Sequence, residues 1–383
     1  RNSLVIQAKR SFVNMLPNLS CTNLIDEKDN YNDTKKLSYH KQVEIQNTLA
    51  LREVLDTLPD FCKDFFRAIE TRTTSKTRIS YAYDIRIFFQ FILKKNPAFK
   101  NCSLKDFTVD ILEQMQPVDI EEYLEYLKVY KNGDKTETNS SRGMMRKISA
   151  LRSFYAYYYK HEFIHYNPMF IIESPKSKEK NIIRLDADEV AILLDYIESC
   201  GDNLTGKKKA FYEKTKERDL AIVTLLLGTG IRVSECVGLD IEDVDFKNNG
   251  IRVTRKGGNE MVVYFGPEVE KVLKEYIAVR ENIVALDGHE HALFYSTQKK
   301  RIGVRAVENL VKKYSAAIIK TKKITPHKLR STYGTALYQE TGDIYLVADV
   351  LGHKDVNTTR QHYAAMDDAR RRKAASAVHL RQD

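Results

Sequence analysis

From Leu51 onward the apolar residues recur at helical spacing, which commits most of the chain to helix-on-helix packing. Leu51, Val54, Leu55 and Leu58 mark one stripe, and Phe61, Phe65, Phe66 and Ile69 mark the next. In SKTRISYAYDIRIFFQFIL, Tyr81, Ile85, Phe88, Phe89 and Ile92 share a face while Lys76, Arg78 and Arg86 fall elsewhere. The segment DIEEYLEYLKVY follows, then a polar turn KNGDKTETNS, then SRGMMRKISALRSFYAYYYKHEFI, basic at its start and aromatic at its end. Four such helices make an all-helical domain the simplest reading of this half. Its aromatic run Phe154, Tyr155, Tyr157, Tyr158, Tyr159 fits a bundle core better than a base-stacking platform. The basic residues Lys76, Arg78, Arg142, Arg146, Lys147 and Arg152 suit either a solvated face or phosphate contact.

The helical pattern stops in NPMFIIESPKSKEKNIIRL, where Pro168 and Pro175 bracket an extended stretch that ends in a charged run. We read residues 1–45 as an N-terminal arm, 46–173 as a helical domain, 174–181 as a linker and 182–383 as a second domain. That domain opens on the capping pattern DADEVAILLDYIES. It continues through ERDLAIVTLLLGTGIRVSECVGLDIEDVDF, a buried helix, a glycine turn and a shorter helix. GIRVTRKGGNEMVVYF reads as two strands joined by RKGGN. The expected class is therefore mainly α with a small β-sheet, an all-helical domain followed by an α+β one.

Charge narrows the partner. Lys and Arg number 62 against 52 acids, a formal net charge of +10, which favours a polyanion without choosing nucleic acid over a membrane surface. Cys21, Cys62, Cys102, Cys200 and Cys236 lack paired spacing, which argues for a reducing compartment and against a zinc cluster. No apolar run approaches a membrane span, so we expect a soluble, cytoplasmic protein that does not cross a membrane.

Five basic groups stand where packing does not call for them: Arg232, Lys256, His327, Arg330 and His353, with Tyr363 following. Singly, each has an ordinary explanation as a helix-end, turn or core residue. Jointly, they meet the requirements of phosphodiester transfer without metal: cations around the non-bridging oxygens, an acid for the leaving oxygen, and a nucleophile.

The second domain resembles the catalytic domain of the tyrosine site-specific recombinases, the phage integrase family. The matching pieces are GTGIRVSE, the hairpin lysine of TRKGGNE, TPHKLRSTYGT, LGHKDVNTT and HYAAM, over roughly residues 180–372. The helical half is similar to the family's SAM-like core-binding domain in architecture rather than motif. The resemblance implies a C-shaped DNA clamp in which Arg232, Lys256, His327, Arg330, His353 and Tyr363 are catalytic and Glu235 supports them. It also implies a 3′-phosphotyrosyl intermediate, no nucleotide or metal cofactor, and a homo-tetramer on two duplex recombination sites with the C-terminal tail docking in trans. Integration, excision, inversion and dimer resolution all use this chemistry, and the compact two-domain layout looks Xer-like. Tyr363 follows His353 by ten residues, one more than the commonest family spacing, so the KDVNTTRQ turn is expected to absorb the extra residue.

Three other readings compete. Asp240, Glu242, Asp243 and Asp245 suggest a metal-dependent nuclease, as His289, Glu290 and His291 suggest a metal site, although both clusters suit surface loops. A type IB topoisomerase-like enzyme shares the chemistry, and a non-catalytic DNA-binding protein could use the same fold. The latter has no need of Tyr363.

Overall fold

The computed structural model describes residues 38–99, 101–175, 183–255, 258–353 and 356. The chain divides into residues 1–38 and a unit Tyr39–Asp383, and the helices and strands described below belong to the latter.

The first group of elements is α1 (Tyr39–Leu55), α2 (Cys62–Ala68), α3 (Ser75–Lys95), α4 (Asp110–Gln114), α5 (Pro117–Tyr126), strands β1 (Val129–Asn132) and β2 (Lys135–Thr138), and α6 (Ser141–Lys160). The spacing that marked the stripes is the spacing that is buried. Leu58, Phe65, Phe88, Phe89 and Phe154 are wholly inaccessible and form one core with Tyr123, Tyr155 and Tyr158. Phe154, Tyr155 and Tyr158 are thus core residues, and the Tyr158 hydroxyl donates to Phe61 O at 2.6 Å. Thr74 caps α3 and Ser140 caps α6. The stretch read as a polar turn holds the β1–β2 hairpin, with Asn132 opposite Lys135 and Gly133 at φ +61°. Every residue of β2 is exposed, so no alternation betrays it.

The second group is α7 (Ala187–Ser199), α8 (Gly206–Thr229), α9 (Val233–Gly238), β3 (Val244–Asp245), β4 (Gly250–Thr254), β5 (Glu260–Tyr264), α10 (Pro267–Arg280), α11 (Val304–Ile318), α12 (Pro326–Thr341) and α13 (Ile344–Leu351). The three strands form an antiparallel sheet in the order β3-β4-β5. Leu225, Leu226, Cys236, Ile251, Leu273, Tyr276, Tyr314 and Leu329 belong to a second core that shares no buried residue with the first. A small cluster of Tyr338, Val347 and Leu351 fastens α13 to α12. No described helix is long and apolar enough to cross a membrane.

Candidate functional site

Two helix ends meet where the GTGIR and LGH motifs fall. The apolar run of α8 drives it through the core until Gly230, at φ +62°, reverses the chain. A side chain there would press on the Tyr333 ring and on Leu351. Arg232 then takes the N-cap position of α9. Its backbone N–H donates to Glu235 Oε2 at 2.7 Å, and its guanidinium Nη1 donates to Glu235 Oε1 at 2.7 Å. Glu235 is almost wholly buried. It holds Arg232 by both its backbone N–H and its guanidinium.

On the other side, Pro326 starts α12 and places His327 and Arg330 three residues apart in its first turn. His327 is exposed, while Arg330 is buried at 5% accessibility. A buried guanidinium needs acceptors, and Arg330 donates from Nη1 to Gly230 O at 2.5 Å and from Nη2 to Leu351 O. Arg232 Nη2 reaches Gly352 O at 3.2 Å. Both arginines therefore meet the C-terminal turn of α13, where carbonyls lack intrahelical donors and the helix dipole is negative. Gly352 closes that turn at φ +61°, and His353, half-buried, donates its backbone N–H to Ala348 O at 2.9 Å.

Arg232, Glu235, Arg330 and the turn leading to His353 are brought together, with His327 at the start of α12. Lys256 and Tyr363 lie outside the described residues, as do the KDVNTTRQ turn beyond Val356 and the tail. One guanidinium went unremarked in the sequence: Arg255, which donates to Asp349 O at 3.4 Å and Val350 O at 2.6 Å. Burial lowers its pKa from the ordinary value; Glu235 and Asp349 oppose that shift, and the neighbouring Arg232 reinforces it. Sequence gives only its place beside Lys256, because its acceptors lie more than ninety residues further along the chain.

The basic residues of the helical half separate into two sets. Lys76, Arg142 and Arg146 are exposed. Arg78 and Lys147 are buried, Arg78 with Glu70 and Lys147 with its Nζ 2.9 Å from Asp84 Oδ1. Asp84 on α3 also accepts from Arg146 on α6, so its carboxylate ties the two helices together. Lys147 is thus paired inside the fold and Arg78 with a carboxylate at its surface, so both expected DNA contacts carry a partner within the chain.

The acids of the LDIEDVDF segment have separate partners: Asp240 with Arg301, Glu242 with His291 at 2.7 Å, Asp243 with Arg252 at 3.3 Å, and Asp245 with Asn248. Among the described residues no group of His, Cys, Asp and Glu is placed to hold a metal.

The family model described as "Phage integrase family" matches residues 183–370. Over 329 residues the chain is 32% identical to "Tyrosine recombinase XerC" of Caldanaerobacter subterraneus subsp. tengcongensis, covering 84% of this chain and 86% of that protein. It is 29% identical over 341 residues to "Tyrosine recombinase XerS" of Streptococcus uberis, covering 83% and 95%. Among solved structures, the XerH site-specific recombinase bound to palindromic difH substrate superposes with a TM-score of 0.59 at 22% identity, over 79% of this chain and 80% of that one.

Proposed function

Because this chain belongs to the phage integrase family and is a Xer-like, site-specific tyrosine recombinase that cuts and rejoins DNA, we propose that Arg232, Lys256, His327, Arg330, His353 and Tyr363 form its active site. The observation that carries the assignment is the convergence of Arg232 and Arg330 on the α13 turn that leads into His353. Two guanidinium forks on one turn match the two non-bridging oxygens of a single phosphate.

Tyr363 Oη attacks the phosphorus, a 3′-phosphotyrosyl bond forms, and the bond to the 5′-oxygen breaks. Lys256 gives that oxygen its proton. Arg232, held by Glu235, and Arg330 neutralise the charge that builds on the non-bridging oxygens. His327 and His353 orient the phosphate and supply the base that takes the proton Tyr363 Oη loses as it attacks. A 5′-hydroxyl from a partner strand then reverses the step, and the covalent bond conserves the energy for religation. Integration, excision, inversion and dimer resolution differ only in how the sites are arranged.

Residues 46–173 and 182–383, joined by 174–181, act as the two DNA-binding halves of a C-shaped clamp, and Lys76, Arg142 and Arg146 supply phosphate contacts from the first. Four protomers work on two duplex sites in the cytoplasm, and the basic, small-residue tail after Asp368 docks on the next protomer. The test is covalent capture: a nicked duplex carrying the recombination site should become attached to the wild-type chain without added metal. Attachment that requires a divalent cation would overturn the proposal.

A further inference from the structure

Four successive carbonyls at the end of α13 each accept from a guanidinium. Arg255 takes those of Asp349 and Val350, Arg330 that of Leu351, and Arg232 that of Gly352. The Asp349 carbonyl also accepts from Gly352 N–H at 2.8 Å, and this negative end of the helix is where the three arginines meet. Two of the three belong to the site assigned above. The third does not.

Arg255 also belongs to another element. Its backbone N–H donates to Asn259 O at 2.7 Å and its carbonyl accepts from Gly258 N at 3.0 Å, so it closes the turn between β4 and β5. The same residue is hairpin by its backbone and α13 partner by its side chain. The fit at Gly352 is close: a Cβ added there would lie 1.3 Å from Arg255 Nη1, so the guanidinium rests against the glycine backbone. Glycine at 352 thus meets two needs, a positive φ and room for Arg255.

We propose that Arg255 is a positioning residue for strand cleavage, tying the stem of the β4–β5 hairpin to the α13 turn that Arg232 and Arg330 share and that leads into His353. This rests on the site reading given above. Arg255 acts through the turn and not on the phosphate. Without it, α13 keeps its apolar anchorage through Tyr338, Val347 and Leu351, and Asp349 O keeps the Gly352 N–H at 2.8 Å, but Val350 O loses its guanidinium donor and the hairpin loses its tether. The fold survives and the alignment of the guanidinium pair does not.

The probe is a nicked duplex carrying the sequence recovered from DNA trapped on the wild-type protein, and the variants are Arg255→Ala, Arg255→Lys, Gly352→Ala and the double Arg255→Ala/Gly352→Ala. Misalignment of this kind costs on the order of 10²-fold in the single-turnover capture rate. For Arg255→Ala, site binding, its salt dependence and the melting temperature should stay near wild type, because Arg255 neutralises no phosphate. Arg255→Lys should recover little, since an ammonium is a point donor where a fork spans two carbonyls. Gly352→Ala displaces the guanidinium and should match the loss, and the double variant should be no slower than the slower single. Wild-type capture by Arg255→Ala overturns the proposal. So does a drop of about one in the salt slope, which marks a direct phosphate contact. A capture loss matched by lost site binding and a lower melting temperature also overturns it, leaving only a fold-stabilising contact. Tyr363→Phe and Arg330→Ala run in parallel keep the two readings apart. If they capture DNA as wild type does, the site assignment falls; if they fail while Arg255→Ala succeeds, only the positioning role falls.

Discussion

Lys147→Met separates a residue that builds the helical half from one that touches DNA. Lys147 and Asp84 are 4% and 1% exposed, and their Nζ–Oδ1 distance is 2.9 Å. Methionine keeps the length of the side chain and removes the charge, leaving Asp84 with Arg146, whose side chain is 46% exposed. Breaking a buried pair from one side costs about 3–5 kcal/mol, and the remaining Arg146 contact places this case at the low end. At about 2–4 °C per kcal/mol for a domain of this size, the melting temperature should fall by roughly 10 °C. The deficit should depend on pH. Burial raises the Asp84 pKa above the ordinary carboxylate value, and Lys147 and Arg146 pull it back down. A carboxyl with a raised folded-state pKa contributes stability that is complete below the unfolded value and lost as pH rises through the folded one. Removing Lys147 raises the folded value further, so the deficit should shrink as pH is lowered towards it. Lys147→Met/Asp84→Asn, which removes both charges, should recover much of the loss. The salt slope of site binding at a temperature where the variant is folded should match wild type. A melting temperature unchanged within about 1 °C, combined with a slope lower by about one, would refute the reasoning and return Lys147 to the DNA interface.

Arg142→Ala, at an exposed position, should show the opposite pattern, an unchanged melting temperature and a salt slope reduced by about one in filter-binding or gel-shift titrations. Arg330→Ala should lower the single-turnover cleavage rate by about 10²–10³-fold, and a rate within about threefold of wild type would remove Arg330 from the site. Gly230→Ala, which needs positive φ and meets Tyr333 and Leu351, should lose at least about 1 kcal/mol in denaturant unfolding. A chain ending at Asp368 should bind one site normally and assemble poorly across two, whereas full recombination with only weaker overall DNA binding would reject tail docking.

Local signals in the sequence carried most of the fold. Leu51 to Leu58, Tyr81 to Ile92 and the LAIVTLLL run announce buried helix faces because each stripe repeats within a turn or two. RKGGN announces the β4–β5 turn because only certain residues adopt such geometry. The β1–β2 hairpin lacks that kind of signal, since the exposed Lys135–Thr138 strand alternates nothing between core and solvent. The site divides along the same line. Arg232, Glu235, His327, Arg330 and His353 stand out as motif residues next to glycine and proline punctuation. The partners of Lys147 and Arg255 lie 63 and 95 residues away, so a run of basic residues looks the same whether it faces solvent or a buried carboxylate. Only the folded chain separates Lys147 from Arg142.

The claim on which the rest depends is that Tyr363 makes the covalent bond to DNA. Wild type and Tyr363→Phe should bind a labelled, nicked recombination-site duplex equally well, and after denaturation only wild type should retain the label, on a peptide that contains Tyr363. A label retained by Tyr363→Phe, or mapped to a different peptide of the wild type, would contradict the account.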